Sequence, residues 1–176
     1  ILLSRLSSPD GELRSRLFQA LSQCGYRAQD QAAILKAVQA EVEQAAWGSA
    51  AQADLGATAD TSLLRAALQH ALLQARSRVL LLLSFVFDSP SIRRVREALL
   101  ADTGAQVAYA LEIIEVQVPA AWKRLVMPLL EDLPPAARNQ RLAALFPQTH
   151  QSAADRLRAI IANDSFSYWV RACAVY

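Results

Sequence analysis

Residues 61–87 read TSLLRAALQHALLQARSRVLLLLSFVF and decide the fold of this chain. Apolar residues recur there at spacings of three and four, which predicts one continuous helix with a buried stripe. The stripe consists of Leu64, Leu68, Ala71, Ala75, Val79, Leu82 and Val86. The second half of this helix is apolar on every side, so neighbouring helices must cover it. Residues 79–87 are far fewer than the roughly 20 that span a bilayer, which predicts a core helix.

The rest of the chain has the same helical character. Of its 176 residues, 53% are hydrophobic, 19% are charged and 5 are glycine. Strands have little support, because β-branched and aromatic residues do not alternate with polar ones. We therefore predict one all-α domain over residues 1–176, with roughly nine to eleven helices. The small, polar and unpatterned residues 48–60 predict a loop.

Charge and cysteine content narrow the functional classes. The 18 basic and 16 acidic residues give a formal net charge of +2, and a balance this close to neutral does not predict a nucleic-acid partner. Cys24 and Cys173 have no metal-ligand spacing, which predicts buried, reduced thiols in a cytoplasmic protein. His70 and His150 lack ligands three or four residues away, so we predict no metal site and no cofactor.

Four stretches share a pattern, at residues 2–21, 99–114, 127–145 and 157–176. Each contains an apolar helix end, a turn with aspartate, an apolar residue usually followed by arginine, and a second apolar helix. Corresponding points at Val107, Ala137 and Val170 lie about 30 residues apart. A fixed period of this length is typical of helical repeat arrays.

This pattern resembles HEAT and HEAT-like repeats, which implies a right-handed α-solenoid of the HEAT or armadillo kind. In that family a turn arginine pairs with an acidic residue or turn carbonyls of a neighbouring repeat, and a proline bends the first helix. The matching arginines are Arg14, Arg138 and Arg171. The matching aspartates are Asp10, Asp102, Asp132 and Asp164. Pro128 matches the proline, whereas Ala108 departs from the arginine pattern and residues 29–87 match poorly.

Residues 80–133 are similar, more narrowly, to the HEAT-repeat region fused behind bacterial membrane carriers of the nucleotide-translocase type. The resemblance is carried by Ser84-Phe85-x-Phe87-Asp88, by Ala-Leu-Glu at 110–112 and by Pro-Leu-Leu-Glu-Asp at 128–132. It implies a cytoplasmic domain cut from a longer chain that also holds membrane spans. The partner would then be another protein or another domain of the same polypeptide.

The functional prediction is a non-enzymatic scaffold for protein–protein interaction or domain coupling. One basic cluster remains to be placed, consisting of Arg93, Arg94, Arg96, Lys123 and Arg124. A solvated helix face is the favoured interpretation, and a patch for an anionic partner is the alternative. Two other functions stay open, a nucleic-acid-binding HEAT-like protein (some DNA-repair glycosylases are enzymatic examples) and a HEAT-like bilin lyase.

Overall fold

The structure is a computed structural model and describes residues 8–58, 60–101 and 104–175. Every regular element within those ranges is a helix, which confirms the all-α prediction. The nine described helices are α1 Gly11–Gln23, α2 Gln31–Leu55, α3 Ser62–Val86, α4 Ser89–Ala101, α5 Gly104–Gln117, α6 Ala120–Leu130, α7 Pro135–Leu145, α8 Ala153–Ala162 and α9 Tyr168–Cys173. Among these helices none has both the length and the apolar composition needed to cross a bilayer.

Side-chain caps explain where several helices begin. The Asp10 carboxylate accepts two backbone N–H groups of the first turn of α1, at 2.8 and 3.2 Å. Asp30 caps α2 in the same way, at 2.9 and 3.1 Å. The hydroxyls of Ser152 and Ser167 cap α8 and α9. These oxygens satisfy N–H groups that have no partner inside the helix.

Cationic side chains bind the opposite ends of other helices. Arg27 donates to the carbonyls of Ser84 and Val86 in the last turn of α3, both at 3.0 Å. Three more cations contact carbonyls near the ends of α2, α6 and α5, namely Arg65, Arg76 and Lys123. A cation is favourable there because the last carbonyls lack helical donors and carry the negative end of the helix dipole.

The loop predicted at residues 48–60 is wrong for residues 48–55, because α2 continues to Leu55. Three of its small residues, Ser49, Ala50 and Ala51, are buried packing positions. A Cβ placed on Gly48 would lie 3.6 Å from the Phe166 ring, which is an ordinary van der Waals distance, so an alanine side chain fits at this position. The helix ends at Gly56, whose φ of +67° is a left-handed conformation that suits glycine.

The two 25-residue helices α2 and α3 form a central hairpin that most other elements contact. Helices α1, α4 and α9 pack on α3, whereas α6, α7 and α8 pack on α2. A large core fills one end of the hairpin and includes Phe18, Val38, Leu82, Ile114 and Leu130. A smaller core at the other end lies beneath α8 and α9.

These contacts do not confirm the α-solenoid. A linear repeat array brings each repeat mainly against its neighbours in sequence. Here α2 contacts α6, α7 and α8, and α3 contacts α9, so helices distant in sequence meet on one hairpin. The arrangement among the described residues is a hairpin surrounded by shorter helices.

Candidate functional site

A cavity of about 340 Å³ lies between α1, α2, α3 and α9. It sits at the junction of the two cores, where α2 contributes Gln44, Ala45 and Gly48 to its lining. Its walls are mainly apolar and include Ala45, Leu68, Ala71, Phe166 and Val170. Trp169 and His70 stand at the exposed side. Its volume is at the lower end of the range for small-molecule sites, roughly 300–1,000 Å³.

A buried ion cluster forms one wall of this cavity. Glu41 on α2 accepts a hydrogen bond from Arg14 Nε at 2.7 Å through Oε1. Its other oxygen, Oε2, accepts from Arg78 Nε at 2.8 Å. All three side chains are buried, and the Glu41 side chain is 2% exposed. The cluster therefore holds two guanidinium groups against one carboxylate.

The cluster connects elements that are far apart in sequence. Arg14 Nη1 donates to the carbonyls of Ser8 and Pro9 at 2.6 and 2.8 Å, and its Nη2 donates to Gln44 Oε1 at 2.6 Å. Gln44 in turn donates to the Ser165 carbonyl at 2.7 Å, in the turn before α9. The start of α1, the middle of α2 and the α8–α9 turn are thus joined through one arginine.

Arg78 is less completely paired than Arg14. Its Nε binds Glu41 and its Nη1 donates to Ser15 Oγ at 3.2 Å. A guanidinium has five N–H donors, so three remain, and no described residue accepts from Nη2. Burial lowers the pKa of Arg78, and the charge of Glu41 opposes that shift. The residue lines the cavity, so an incompletely paired cation is available at its wall.

A second buried cluster ties α8 to the end of α2. The Asp54 carboxylate accepts from Arg156 Nε at 2.8 Å, from His150 Nδ1 at 2.6 Å and from the Gln151 backbone at 3.2 Å. Burial raises the pKa of Asp54, but the hydrogen bonds from Arg156 and His150 outweigh it and leave the pKa below its usual range. The Arg156 guanidinium also lies 4.8 Å from the ring centroid of Trp47.

The basic cluster predicted as an anionic-partner patch is partly engaged within the fold. Arg96 Nε donates to Ser77 on α3 at 3.1 Å. Lys123 pairs with Glu115 at 2.7 Å. Arg93, Arg94 and Arg124 are exposed.

Arg94 lies near Asp88, whose pKa is lowered chiefly by hydrogen bonds with Ser91. The five basic residues are divided between α4 and α6.

The predicted turn residues occupy helix boundaries. Arg14 binds the carbonyls before α1, Arg138 donates to the Glu131 carbonyl at 3.5 Å, and Arg171 pairs with Asp164. Asp10 caps α1, and the charge of Asp132 acts against the burial that lowers the pKa of Arg138. Pro128 lies inside α6, and Asp102 lies outside the described residues.

The remaining reactive side chains offer little chemistry. Cys173 is buried as predicted, whereas Cys24 is exposed because it follows the last turn of α1, which corrects that expectation. Nε2 of His70 lies 3.3 Å from Nε2 of Gln74, and Nδ1 of His150 is hydrogen-bonded to the Asp54 carboxylate. Within the described residues no group of three His, Cys, Asp or Glu side chains is placed to hold a metal ion.

Large apolar side chains are exposed around α9. Tyr168, Trp169 and Val175 are 81%, 57% and 72% exposed. Tyr168 and Val175 are seven residues apart on a helical stretch whose turns continue to Val175, so they lie on one side of it. We call these three residues the α9 surface.

No protein-family model, no curated protein and no solved structure matches this chain. Its function must therefore be inferred from the cavity, the two ion clusters and the α9 surface.

Of the central residues of these sites, the sequence pattern identified Arg14, and it contained a signal for Arg78 and Glu41 that was not used. Arg78 lies three residues after Ala75 and four before Leu82, both on the buried stripe. Glu41 lies at the same spacing between Val38 and Ala45. A charged residue on the buried face of each of two long helices predicts an ion pair between them.

Proposed function

We propose that this chain is a non-enzymatic interaction module that binds another protein, or a neighbouring domain of the same polypeptide, through the α9 surface. The observation that carries the proposal is the exposure of Tyr168 and Trp169 on α9 and of Val175 in the turn that follows it. Exposed apolar groups mark interaction sites when they occur together, and Tyr and Trp are enriched among the residues that dominate binding energy.

The state of the buried carboxylates supports a role without catalysis. Both oxygens of Glu41 accept charged hydrogen bonds from arginines. Asp54 accepts from Arg156 and His150, and its pKa is below the usual range. A general acid or base at neutral pH needs a pKa near 7 and an accessible proton site. Asp54 has neither property, and the Glu41 carboxylate is buried with each oxygen bound to an arginine.

The family proposal is retained for α6–α9, where the helices contact one another in the pairs α6–α7 and α8–α9. Arg138 binds the Glu131 carbonyl and Arg171 binds Asp164, so each arginine contacts the turn of its own predicted repeat, 127–145 or 157–176, whereas the resemblance implies a neighbouring repeat. On the resemblance of residues 80–133, we propose a cytoplasmic domain attached to a membrane carrier as its context. This context is fold-level analogy.

The test compares two double variants by quantitative affinity enrichment from cells that express the whole polypeptide. Tyr168→Ser with Val175→Ser alters the α9 surface and leaves the cavity lining intact. Tyr109→Ser with Val116→Ser is the matched control, because both residues are exposed on α5. We expect the control to retain the partners of the wild-type chain and the α9 variant to lose them.

Equal recovery by both variants would contradict the proposal, and loss with the α5 variant alone would move the partner surface to α5. Recovery that disappears steeply with added salt would indicate a nucleic-acid partner instead. Circular dichroism of both variants confirms that each remains folded.

A further inference from the structure

We infer that the cavity between α1, α2, α3 and α9 binds a small amphipathic monocarboxylate, with its carboxylate on Arg78 and its apolar body against α2, α3 and α9. This inference concerns a small-molecule site and does not depend on the α9 surface binding a protein. Three features support a carboxylate ligand here: the excess positive charge of the buried cluster, the N–H groups of Arg78 that have no acceptor, and the apolar walls of the cavity.

The charge of the cluster calls for an anion. Arg14 and Arg78 each carry a positive charge and share Glu41, which leaves one buried positive charge in excess. A buried charge without a full complement of partners is unfavourable, because the protein interior solvates it poorly. A carboxylate in the cavity would bring the cluster to two cations and two anions.

The donors that would hold this anion belong to Arg78 rather than to Arg14. Arg14 donates through Nε, Nη1 and Nη2 to Glu41, to two carbonyls and to Gln44. Arg78 keeps both hydrogens of Nη2 and one of Nη1, and it lines the cavity. Adjacent guanidinium N–H groups fit the two oxygens of a carboxylate.

The other charged groups at the cavity indicate a single negative charge on the ligand. Nη2 of Arg16 lies 4.0 Å from Oε2 of Glu12 at the edge of the cavity, and both side chains are mostly exposed. Their charges therefore offset each other in water and leave Arg78 as the buried cation. A ligand with several phosphates would bring more negative charge than this site neutralises.

The walls indicate an apolar body. Beyond Arg78 most of the lining surface is apolar, although polar residues also contribute to it, and its apolar residues include Ala45, Leu68, Ala71, Phe166 and Val170. Removing apolar surface of a ligand from water is favourable by about 25 cal/mol per Å². The larger concavity of about 730 Å³ on the Arg14 side includes Lys36 and Glu43, and Arg14 has no nitrogen there without a partner.

The test is isothermal titration calorimetry with octanoate, with 1-octanol as the uncharged probe of equal chain length. We expect octanoate to bind the wild-type chain at least tenfold more tightly than 1-octanol. Arg78→Met should weaken octanoate binding at least tenfold and leave 1-octanol binding nearly unchanged. Equal affinities of the wild type for the two probes, or unchanged octanoate binding by Arg78→Met, would overturn the inference, as would absence of octanoate binding.

A second pair of variants keeps the test decisive if Arg78→Met fails to fold. Ala71→Phe fills the cavity from α3 and leaves the ion cluster in place, so it should abolish octanoate binding. Ala66→Phe is the matched control, since Ala66 is exposed on the same helix and does not line the cavity. Octanoate binding that survives in Ala71→Phe would place the ligand elsewhere. Tyr168→Ser with Val175→Ser should bind octanoate normally, because among the three residues of the α9 surface only Trp169 lines the cavity.

Discussion

Replacing Glu41 by glutamine removes the carboxylate that lies between the guanidinium groups of Arg14 and Arg78. The side chain keeps its size, but its two oxygens, at 2.7 and 2.8 Å from the arginine Nε atoms, are replaced by a neutral amide. Two buried positive charges are then left facing each other. Breaking a buried ion pair on one side costs about 3–5 kcal/mol of the free energy of unfolding, and here two pairs share the lost partner.

Arg78→Met is the matched comparison, because it removes a charge from the same cluster and leaves Arg14 and Glu41 as a balanced pair. Its cost should be about 1–2 kcal/mol, within the range of ordinary substitutions. Glu41→Gln should therefore be the more destabilising change, even though it is the smaller change in volume. This order follows from the two-to-one charge count and would be reversed if packing alone held the cluster.

Urea unfolding followed by tryptophan fluorescence measures both variants, and urea is chosen because a salt denaturant would screen the charges. With a slope of about 2 kcal/mol per molar, the Glu41→Gln midpoint should fall by about 2 M. A smaller midpoint shift for Glu41→Gln than for Arg78→Met, at equal slopes, would refute the account of the cluster.

Four further substitutions test other parts of the fold. The folded-state pKa of Asp54 is below its usual 3.8, so the stability that this carboxylate provides is present above that pH and is lost as the pH falls below it. The difference in urea midpoint between the wild type and Asp54→Asn should therefore shrink between about pH 5 and pH 2. A difference that stays constant over this range would contradict the expectation. Gly56→Ala should lower the free energy of unfolding by about 1 kcal/mol, because Gly56 has a φ of +67°. Gly48→Ala should raise the free energy of unfolding by about 0.5 kcal/mol, because Gly48 lies inside α2 and alanine favours a helix. Thermal unfolding of both variants checks that the two effects have opposite signs. Arg27→Met should speed hydrogen exchange at the end of α3 and cost about 1 kcal/mol, while exchange at the start of α3 stays unchanged.

The helices were largely predictable, because periodicity is a local property. The stripe in residues 61–87 predicts a helix, and α3 runs from Ser62 to Val86. The failure at residues 48–55 has a physical cause. Small residues in a row are typical of loops, but Ser49, Ala50 and Ala51 are buried where other elements pack on α2. Composition does not distinguish a loop from a helix surface that touches other elements.

The sites were much less predictable, because their partners lie far apart along the chain. Arg156 binds Asp54 across 102 residues, and Arg78 binds Glu41 across 37. Periodicity indicates that a charged residue faces the core, but it does not indicate which helix provides the opposite charge. The contacts of α2 with α6, α7 and α8 are non-local in the same way, and a repeat pattern predicts neighbours in sequence instead.

The position of the ion cluster also accounts for the cavity. The hairpin carries Glu41, Gln44 and Arg78 between the large and the small core, and buried polar atoms need hydrogen-bond partners. Their bonds to α1 and to the α8–α9 turn set the spacing of these elements, so apolar packing does not close the gap. An apolar replacement of the cluster, with methionine at Arg14, Glu41 and Arg78, should therefore be neutral or stabilising in urea and yet abolish octanoate binding. Loss of stability together with retained binding would show that the cluster holds the fold together and does not create the cavity.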